Sequence, residues 1–512
     1  MKLTIILCGL AAAAAFPLAP AAAPIKNHGV SDDIVIPDTY IVKYKAHVDA
    51  IKIKDHEDDF DDRARKANKK GIFDRFNVLG LQGYIAEIPR SELSNLTESD
   101  LVKPIEYVEK DTIVKSTAVS AVIPDIPDLT KRAMTRQRHA PWGLARISHR
   151  SRDSTEYYYS DTAGEGIRVY VLDTGVRLSH SDLGGRAVWG ANFVASSTDG
   201  DEDGHGTHVA GILGGTTYGV AKKATLVSVK VLDRTGTGSM SGLLQGLNWA
   251  VADAKNRGLA RKAVINMSLS GSYMQSVNDG IQAATDAGLT VVVAAGNKDQ
   301  DVMHWSPASA PSAITVGAID QNDQRAEFSN WGAGIDIFAP GVAISSAYNT
   351  SDSAVVAMSG TSMASPHVAG LAAYFIANEG LSGGAVASRI LDVATKGVGD
   401  SKGGSDRIAP VNPPLKTSNL PSPLVAAAPT LTPSLPTNLA TQPPPPLPDV
   451  LLSSTLLLVR VHLVGREGME VGAAQLGPPA GPPAAVDGYC TVKRGWARSG
   501  ERSVIWRLAV GM

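Results

Sequence analysis

Three side chains of this sequence could together carry out nucleophilic catalysis. Ser362 lies in GTSMASPHVAG (360–370), where a strand-like run turns into a helix whose unpaired N–H groups could stabilise an oxyanion. His205 lies in DEDGHGTHVAGILGG, and a histidine that acts as a general base needs a carboxylate on its second ring nitrogen. Asp173, directly after the apolar run IRVYVL, is the candidate carboxylate. The sequence therefore predicts a serine nucleophile activated by a histidine and an aspartate.

Neighbouring residues leave alternatives open. Ser359 precedes the turn and Ser365 is one turn into the helix, where packing or capping is the simpler role. Asn297, in AAGN, could donate a side-chain hydrogen bond to the same oxyanion, or be an ordinary turn asparagine. His205 and His208 are spaced to bind a metal, but the glutamate that the zinc protease motif requires between them is absent.

Alternating strands and helices from about residue 140 to 411 must position these side chains. Continuous apolar runs, typical of parallel strands buried on both faces, occupy 167–172, 263–269 and 289–295. Apolar residues at helical spacing, ended by glycine, occupy 241–258 and 274–288. The pattern predicts a doubly wound α/β domain with a parallel sheet, in which ligands bind beyond the carboxyl ends of the strands.

A separate small domain is predicted before it, in residues 24–132. Strand-like segments begin with TYIVKYK (39–45), a charged helix over 50–71 ends at Gly71, and LQGYIAEIP and IEYVEKDTIVK supply further strands. The order strand, helix, strand, helix, strand indicates a small α+β sandwich. Residues 1–23 have the cationic, apolar and alanine-rich regions of a secretory signal. A proline-containing linker with the pair Lys131-Arg132 joins the two domains.

Composition excludes several classes of function. A net charge of -2 and a pI near 6.6 give no electrostatic case for nucleic acid or an anionic membrane as a partner. The two cysteines are Cys8 and Cys490, so the central region has no disulfide, thiol nucleophile or thiolate metal site. We therefore expect stability to come from a large core or from bound ions such as calcium.

The C-terminal part of the chain changes composition again. Residues 412–449 are a proline-rich linker that is expected to be extended. Residues 450–512 lack periodicity and are expected to be disordered or a non-native extension such as a gene-model error, with a small folded binding module as the alternative.

The motifs, taken in order, resemble the subtilisin-like serine proteases. Those motifs are DTG, HGTHVAG, AAGN and GTSMASPHVAG, which contain Asp173, His205, Asn297 and Ser362. APWGLARISHR (140–150) and FSNWGAGIDIFAPG (328–341) look like the proteinase K-like branch. The resemblance covers about 140–400, and 35–115 resemble the propeptide of these enzymes.

The resemblance implies a secreted, monomeric serine endopeptidase of broad specificity, made as a zymogen. It assigns Ser362 as nucleophile, His205 as general base, Asp173 as its orienting partner and Asn297 as oxyanion donor. It places the peptide substrate as an added strand between two segments, at Gly236, Gly238, Ser268, Leu269, Ser270 and Gly271. The family's SLGG is SLSG here, so Ser270 alters the pocket.

The resemblance also implies an inhibitory ferredoxin-like propeptide (24–132) before a peptidase domain (133–411), with the junction near Lys131 to Ala133. It implies a structural calcium ion held by Asp336 and the backbone carbonyls of Pro311 and Ala313. A rival hypothesis is a catalytically silent relative that serves as a binding scaffold, which would be expected to have lost a triad residue. A second rival gives the function to the 450–512 tail as an adhesion or wall-binding module.

Overall fold

The computed structural model of the chain describes residues 23–27, 29–78, 80–93, 104–118, 120–122, 136–195 and 197–409. Residues 1–22 of the expected signal, the junction near Lys131 to Ala133, and the segments 412–449 and 450–512 lie outside these ranges. Within the ranges, no helix is both long enough and apolar enough to cross a membrane.

An antiparallel sheet and a helix form the N-terminal domain. Its elements are β1 (Val35–Tyr44), α1 (Ala50–Lys66), β2 (Gly71–Val78), β3 (Leu81–Glu87) and β4 (Ile105–Ser116). The strands pair in the order β4-β1-β3-β2, and buried side chains of α1, including Phe60 and Ala64, pack with Tyr84 of the sheet. The predicted α+β character of this domain is confirmed.

Two details of this domain differ from the prediction. The helix ends at Lys66, and Gly71, with a φ of 74°, begins β2 instead of ending the helix. Strand β2 was not among the predicted strands. Between β3 and β4 the described residues contain a short 3-10 turn, Arg90–Glu92, and 94–103 lie outside the described part.

The rest of the described chain alternates strands and helices. The strands are β5 (Ser120–Val122), β6 (Arg136–Gln137), β7 (Tyr157–Tyr158), β8 (Arg168–Asp173), β9 (Ala187–Asn192), β10 (Thr225–Lys230), β11 (Thr237–Ser239), β12 (Ala263–Met267), β13 (Leu269–Ser272), β14 (Thr290–Ala294), β15 (Trp305–Ser306), β16 (Ile314–Ile319), β17 (Ile337–Pro340), β18 (Ile344–Ala347), β19 (Val355–Ser359), β20 (Thr395–Lys396) and β21 (Arg407–Ile408). The helices are α2 (Trp142–Ser148), α3 (His205–Gly214), α4 (Met240–Asn256), α5 (Gln275–Asp286), α6 (Thr361–Glu379) and α7 (Gly384–Val393).

A nine-stranded sheet in the order β20-β21-β17-β16-β14-β12-β8-β10-β9 forms the centre of this region. Neighbouring strands are parallel except for β20 and β21. Alternate residues of β8 enter two cores: Val169 and Val171 pack on the side of α3 and α6, and Tyr170 and Leu172 on the side of α4 and α5. Helices therefore cover both faces, which confirms the doubly wound α/β class.

Candidate active site

Asp173 and His205 form a buried pair at the carboxyl edge of the central sheet. Asp173 is the last residue of β8 and His205 is the first residue of α3. The Asp173 Oδ1 lies 2.7 Å from the His205 Nδ1 and also accepts a hydrogen bond from the Thr174 N–H at 2.8 Å. In the described part of the chain, the Nε2 of His205 has no hydrogen-bond partner. The ring is therefore oriented by the carboxylate, with its second nitrogen free to exchange a proton.

Burial and charge act in opposite directions on the two histidines of α3. Burial alone would lower the pKa of His205, but the charge and hydrogen bond of Asp173 hold that pKa above its ordinary value of 6.5. Burial lowers the pKa of His208 to about 3, and its Nε2 lies 3.0 Å from the Val356 carbonyl oxygen. His208 is therefore neutral and engaged with the backbone. Among the described residues, no group of three or more His, Cys, Asp or Glu side chains could hold a metal ion.

Ser362 lies in the first turn of α6, directly after the turn that follows β19. Its side chain is fully buried, and its hydroxyl donates to the Ser268 carbonyl oxygen at 3.0 Å and makes a short contact with the Thr117 hydroxyl. The Ser362 hydroxyl is thus held by Thr117 and Ser268 here, rather than by His205.

Two donors converge on the carbonyl oxygen of Thr117. The Asn297 Nδ2 donates to it at 2.5 Å, and the Ser362 N–H donates at 3.3 Å. The orientation of the Asn297 amide is fixed because its Oδ1 accepts from the N–H and the hydroxyl of Thr361, at 3.0 and 2.8 Å. A carbonyl in this position would have both donors aimed at negative charge developing on its oxygen.

The chain on either side of Thr117 lies across this site as an added strand. On one side, the end of β4 is sandwiched between β11 and β13, with Val114 opposite Gly238 and Gly271. On the other side, β5 pairs antiparallel with β19, with Ser120 opposite Ser359. Thr117 therefore occupies the position that the residue preceding a scissile bond would occupy.

All six sequence-predicted substrate residues contact this added strand. The Ser116 N–H donates to the Gly236 carbonyl oxygen at 2.9 Å, and the Thr117 N–H donates to the Ser268 carbonyl oxygen at 3.3 Å. The remaining four lie in the paired stretches of β11 and β13, namely Gly238, Leu269, Ser270 and Gly271.

The predicted calcium residues lie just before two neighbouring strands of the central sheet: Pro311 and Ala313 precede β16, and Asp336 directly precedes β17. Asp336 is half-buried, and its Oδ2 accepts from the Thr315 N–H at 2.8 Å. Burial raises the pKa of Asp336, and the bond from Thr315 opposes that rise. Pro311 and Ala313 precede Thr315 by a few residues, so their carbonyls belong to the segment that Asp336 contacts. A carboxylate with backbone carbonyls is an oxygen donor set of the kind that calcium prefers.

Comparison with known proteins identifies the family. Residues 164–408 match the subtilase family. The chain is 43% identical over 409 residues to Subtilisin-like protease 2 of Pseudogymnoascus destructans, covering 78% of this chain and 96% of that protein. It is 42% identical over 379 residues to Subtilisin-like serine protease Pen c 1 of Penicillium citrinum, covering 73% of this chain and 90% of that protein. The chain belongs to the subtilase family.

A solved structure agrees with this assignment. The crystal structure of a cold adapted subtilisin-like serine proteinase matches with a TM-score of 0.51 and 40% identity, and the match covers 54% of this chain and 99% of the other. This subtilase is a serine-type endopeptidase that hydrolyses proteins through a serine nucleophile. The sequence prediction of family and activity is confirmed.

Two residues of this subtilase that contact the site were missed by sequence reasoning. Thr117 falls in the segment that the sequence predicts as the linker between the two domains, and nothing local marks it as the residue that meets Asn297. Asp201, four residues before His205, lies in the histidine motif, where the sequence pattern assigns it no role; its carboxylate accepts hydrogen bonds from Thr174 and Thr207. The signal available for Asp201 was an acidic side chain four residues before a helix that begins at His205 and whose N-cap residue is a glycine.

Proposed function

We propose that Ser362, His205 and Asp173 are the nucleophile, general base and orienting carboxylate of this protease. The Ser362 Oγ attacks the substrate carbonyl carbon while the His205 Nε2 takes the hydroxyl proton. His205 then gives that proton to the leaving amine, an acyl-enzyme ester forms, and water repeats the sequence to release the acid. The observation that carries this proposal is the convergence of the Asn297 Nδ2 and the Ser362 N–H on one carbonyl oxygen.

We propose that protein substrates bind as the strand that residues 113–117 now form. Backbone pairing with β11 and β13 holds an extended peptide without reading its side chains, which favours broad specificity. The Ser270 hydroxyl, at a position where glycine is expected in the family, is buried and has no hydrogen-bond partner among the described residues.

We propose that the N-terminal domain is an intramolecular inhibitor. Two of its fully buried carboxylates cap peptidase helices: Glu109 accepts from the N–H groups of Gln275 and Ser276 at 2.8 and 2.9 Å, at the start of α5, and Asp111 accepts from the Ser241 N–H at 3.0 Å, at the start of α4. These bonds anchor β4 so that its end fills the cleft and excludes other substrates.

We propose that the enzyme first cuts its own precursor between Thr117 and Ala118. The Thr117 carbonyl lies against the two oxyanion donors, and its side chain contacts Ser362. This cut would leave residues 118–132 on the peptidase domain. The junction near Lys131 to Ala133 stays a prediction for a later trimming step, and the peptidase boundary at 411 stays a prediction as well.

We also propose a structural calcium ion, a secreted location and a monomeric enzyme. Asp336 and the carbonyls of Pro311 and Ala313 would hold the ion, whose charge would offset the burial of the Asp336 carboxylate. Secretion rests on the character of residues 1–23.

Casein hydrolysis by three serine variants tests the triad. Ser362→Ala is expected to lower kcat by on the order of 10⁶-fold and to leave a folded, uncut precursor. Ser359→Ala and Ser365→Ala remove the two neighbouring serines and are expected to keep activity. Substantial hydrolysis by the Ser362→Ala protein would refute the assignment.

N-terminal sequencing of the maturing enzyme tests the first cut. Ala118→Pro is expected to block processing, because a substrate proline after the scissile bond has no N–H and distorts the backbone there. The control variant Lys131→Gln/Arg132→Gln should still release a chain that begins at Ala118. A first product that begins at residue 132 or 133 would contradict the proposed cut.

A further inference from the structure

Asp201 receives hydrogen bonds from both segments that carry the Asp173 and His205 pair. Its Oδ1 accepts from the Thr174 hydroxyl and from the Gly204 N–H, each at 2.8 Å. Its Oδ2 accepts from the N–H and the hydroxyl of Thr207, at 2.9 and 2.5 Å. Thr174 directly follows Asp173, and Gly204 and Thr207 flank His205, so one carboxylate joins the two loops.

This connection has a local cause at the start of α3. The residue before the helix is Gly204, which has no side chain to cap the unpaired N–H groups of the first turn. Asp201 supplies the missing acceptors for the N–H groups of Gly204 and Thr207. The Thr174 hydroxyl, which donates to Asp201, also accepts from the Gly206 N–H at 2.9 Å. The helix that begins at His205 is thus tied directly to the end of β8.

We propose that Asp201 is a positioning residue: it fixes the His205 imidazole against Asp173, and its negative charge stabilises the protonated imidazole that forms during catalysis. The inference rests on the proposed function of His205 as the general base. It adds to the triad a fourth side chain that acts through the other three and does not touch the substrate.

The charged groups around His205 support the role of the Asp201 charge in stabilising the protonated imidazole. The carboxylates facing it are Asp173, Asp203 and Asp201, and all three raise its pKa. The Lys230 ammonium on β10 is bonded to the Thr174 carbonyl oxygen at 2.6 Å, and the neutral His208 lies one turn along α3. Removing the Asp201 charge therefore leaves two of the three carboxylates and lowers the pKa of His205.

Steady-state kinetics of Asp201→Asn and Asp201→Ala, across a range of pH, test the proposal. Both variants are expected to lower kcat, by on the order of 10- to 100-fold, with KM unchanged because the strands that pair with the substrate are not altered. The acid limb of kcat/KM for Asp201→Asn should move to lower pH by roughly half a unit. Asp199→Asn is the matched control, because Asp199 is exposed in the same loop and, among the residues that the structure describes, its carboxylate accepts only from the Asn192 side chain, at 3.4 Å.

A double-mutant cycle with Thr174→Val tests the hydrogen bond between Thr174 and Asp201 directly. Since the Thr174 hydroxyl and the Asp201 carboxylate share one bond, the losses in kcat from Thr174→Val and Asp201→Asn should be less than multiplicative when combined. Kinetics of Asp201→Asn equal to those of Asp199→Asn, or a fall in kcat with the acid limb unmoved, would overturn the proposal. Loss of activity in Ser362→Ala is measured separately, so a failure of the Asp201 proposal is distinguishable from a failure of the proposed triad.

Discussion

Removing the side-chain donor of Asn297 is expected to slow the chemical step with no change in substrate binding. In the structure, the Asn297 amide is half-buried and oriented by Thr361, and its Nδ2 is the closer of the two donors to the Thr117 carbonyl oxygen, at 2.5 Å against 3.3 Å for the Ser362 N–H. Asn297→Ala leaves the longer bond alone to stabilise the oxyanion. Asn297→Asp keeps an acceptor for Thr361 but points an oxygen at the developing charge.

The magnitude follows from the kind of donor that is lost. A fixed side-chain donor aimed at an oxyanion contributes about 2.7–4 kcal/mol to the transition state, so Asn297→Ala should lower kcat by about 10²- to 10³-fold. KM should stay close to that of the unmodified enzyme, because the bonds that align the substrate backbone come from Gly236, Ser268 and their neighbours. Asn297→Asp should be at least as slow as Asn297→Ala.

Hydrolysis of a chromogenic peptide, with kcat and KM determined separately, measures this effect. Equal thermal midpoints for the variants and the unmodified enzyme would exclude a folding defect. A kcat for Asn297→Ala within tenfold of the unmodified value, or a loss confined to KM, would refute the assigned role of Asn297.

Three further predictions concern pH, calcium and the propeptide. Burial lowers the pKa of His208 to about 3 and of His367 to about 4, so below pH 6.5 the unfolded chain binds two protons that the folded chain does not. Burial raises the pKa of Asp111 to about 6, and this carboxyl acts in the opposite direction. The unfolding free energy of the Ser362→Ala protein should therefore fall as the pH drops below about 6.5, with a net slope of about 1.4 kcal/mol per pH unit, and a flat urea-denaturation profile between pH 7 and 5 would contradict this. Removal of calcium by chelation should lower the unfolding free energy of the mature enzyme by about 2.7 kcal/mol, compared with the same enzyme in calcium at about 100 times its Kd. In the Asp336→Asn variant, the thermal midpoint should not depend on calcium. Glu109→Gln should weaken inhibition by the cut propeptide on the order of 10-fold, because one of two charge-assisted helix caps is lost; an unchanged inhibition constant would show that these caps do not hold the domain.

The central sheet could be predicted because its strands are buried on both faces. Val169 and Val171 enter one core and Tyr170 and Leu172 the other, so the run is apolar throughout and stands out in the sequence. Strand β2 was not predicted because it has no such continuous apolar run. It is the edge strand beside β3, and exposed polar side chains interrupt its apolar residues.

Contacts between segments that are distant in sequence limit how much of the site can be predicted from the sequence. The motifs indicated Asp173 and His205 as a pair, and the structure brings them together at 2.7 Å. The position of Thr117 depends on the register of β4 against β11 and β13, more than 100 residues away in sequence, and no local pattern encodes that register. The dibasic pair near residue 131 drew attention as a junction because it is visible locally, whereas Thr117 is visible only in three dimensions.

The most direct test of the account is to treat the secreted protein with a fluorophosphonate probe, and to map the labelled residue and the N-termini by mass spectrometry. The account predicts label on Ser362, no label in the Ser362→Ala protein, and a processed chain that first begins at Ala118. A folded chain that has lost its propeptide but takes no label on Ser362 would contradict the assembled triad on which the account depends.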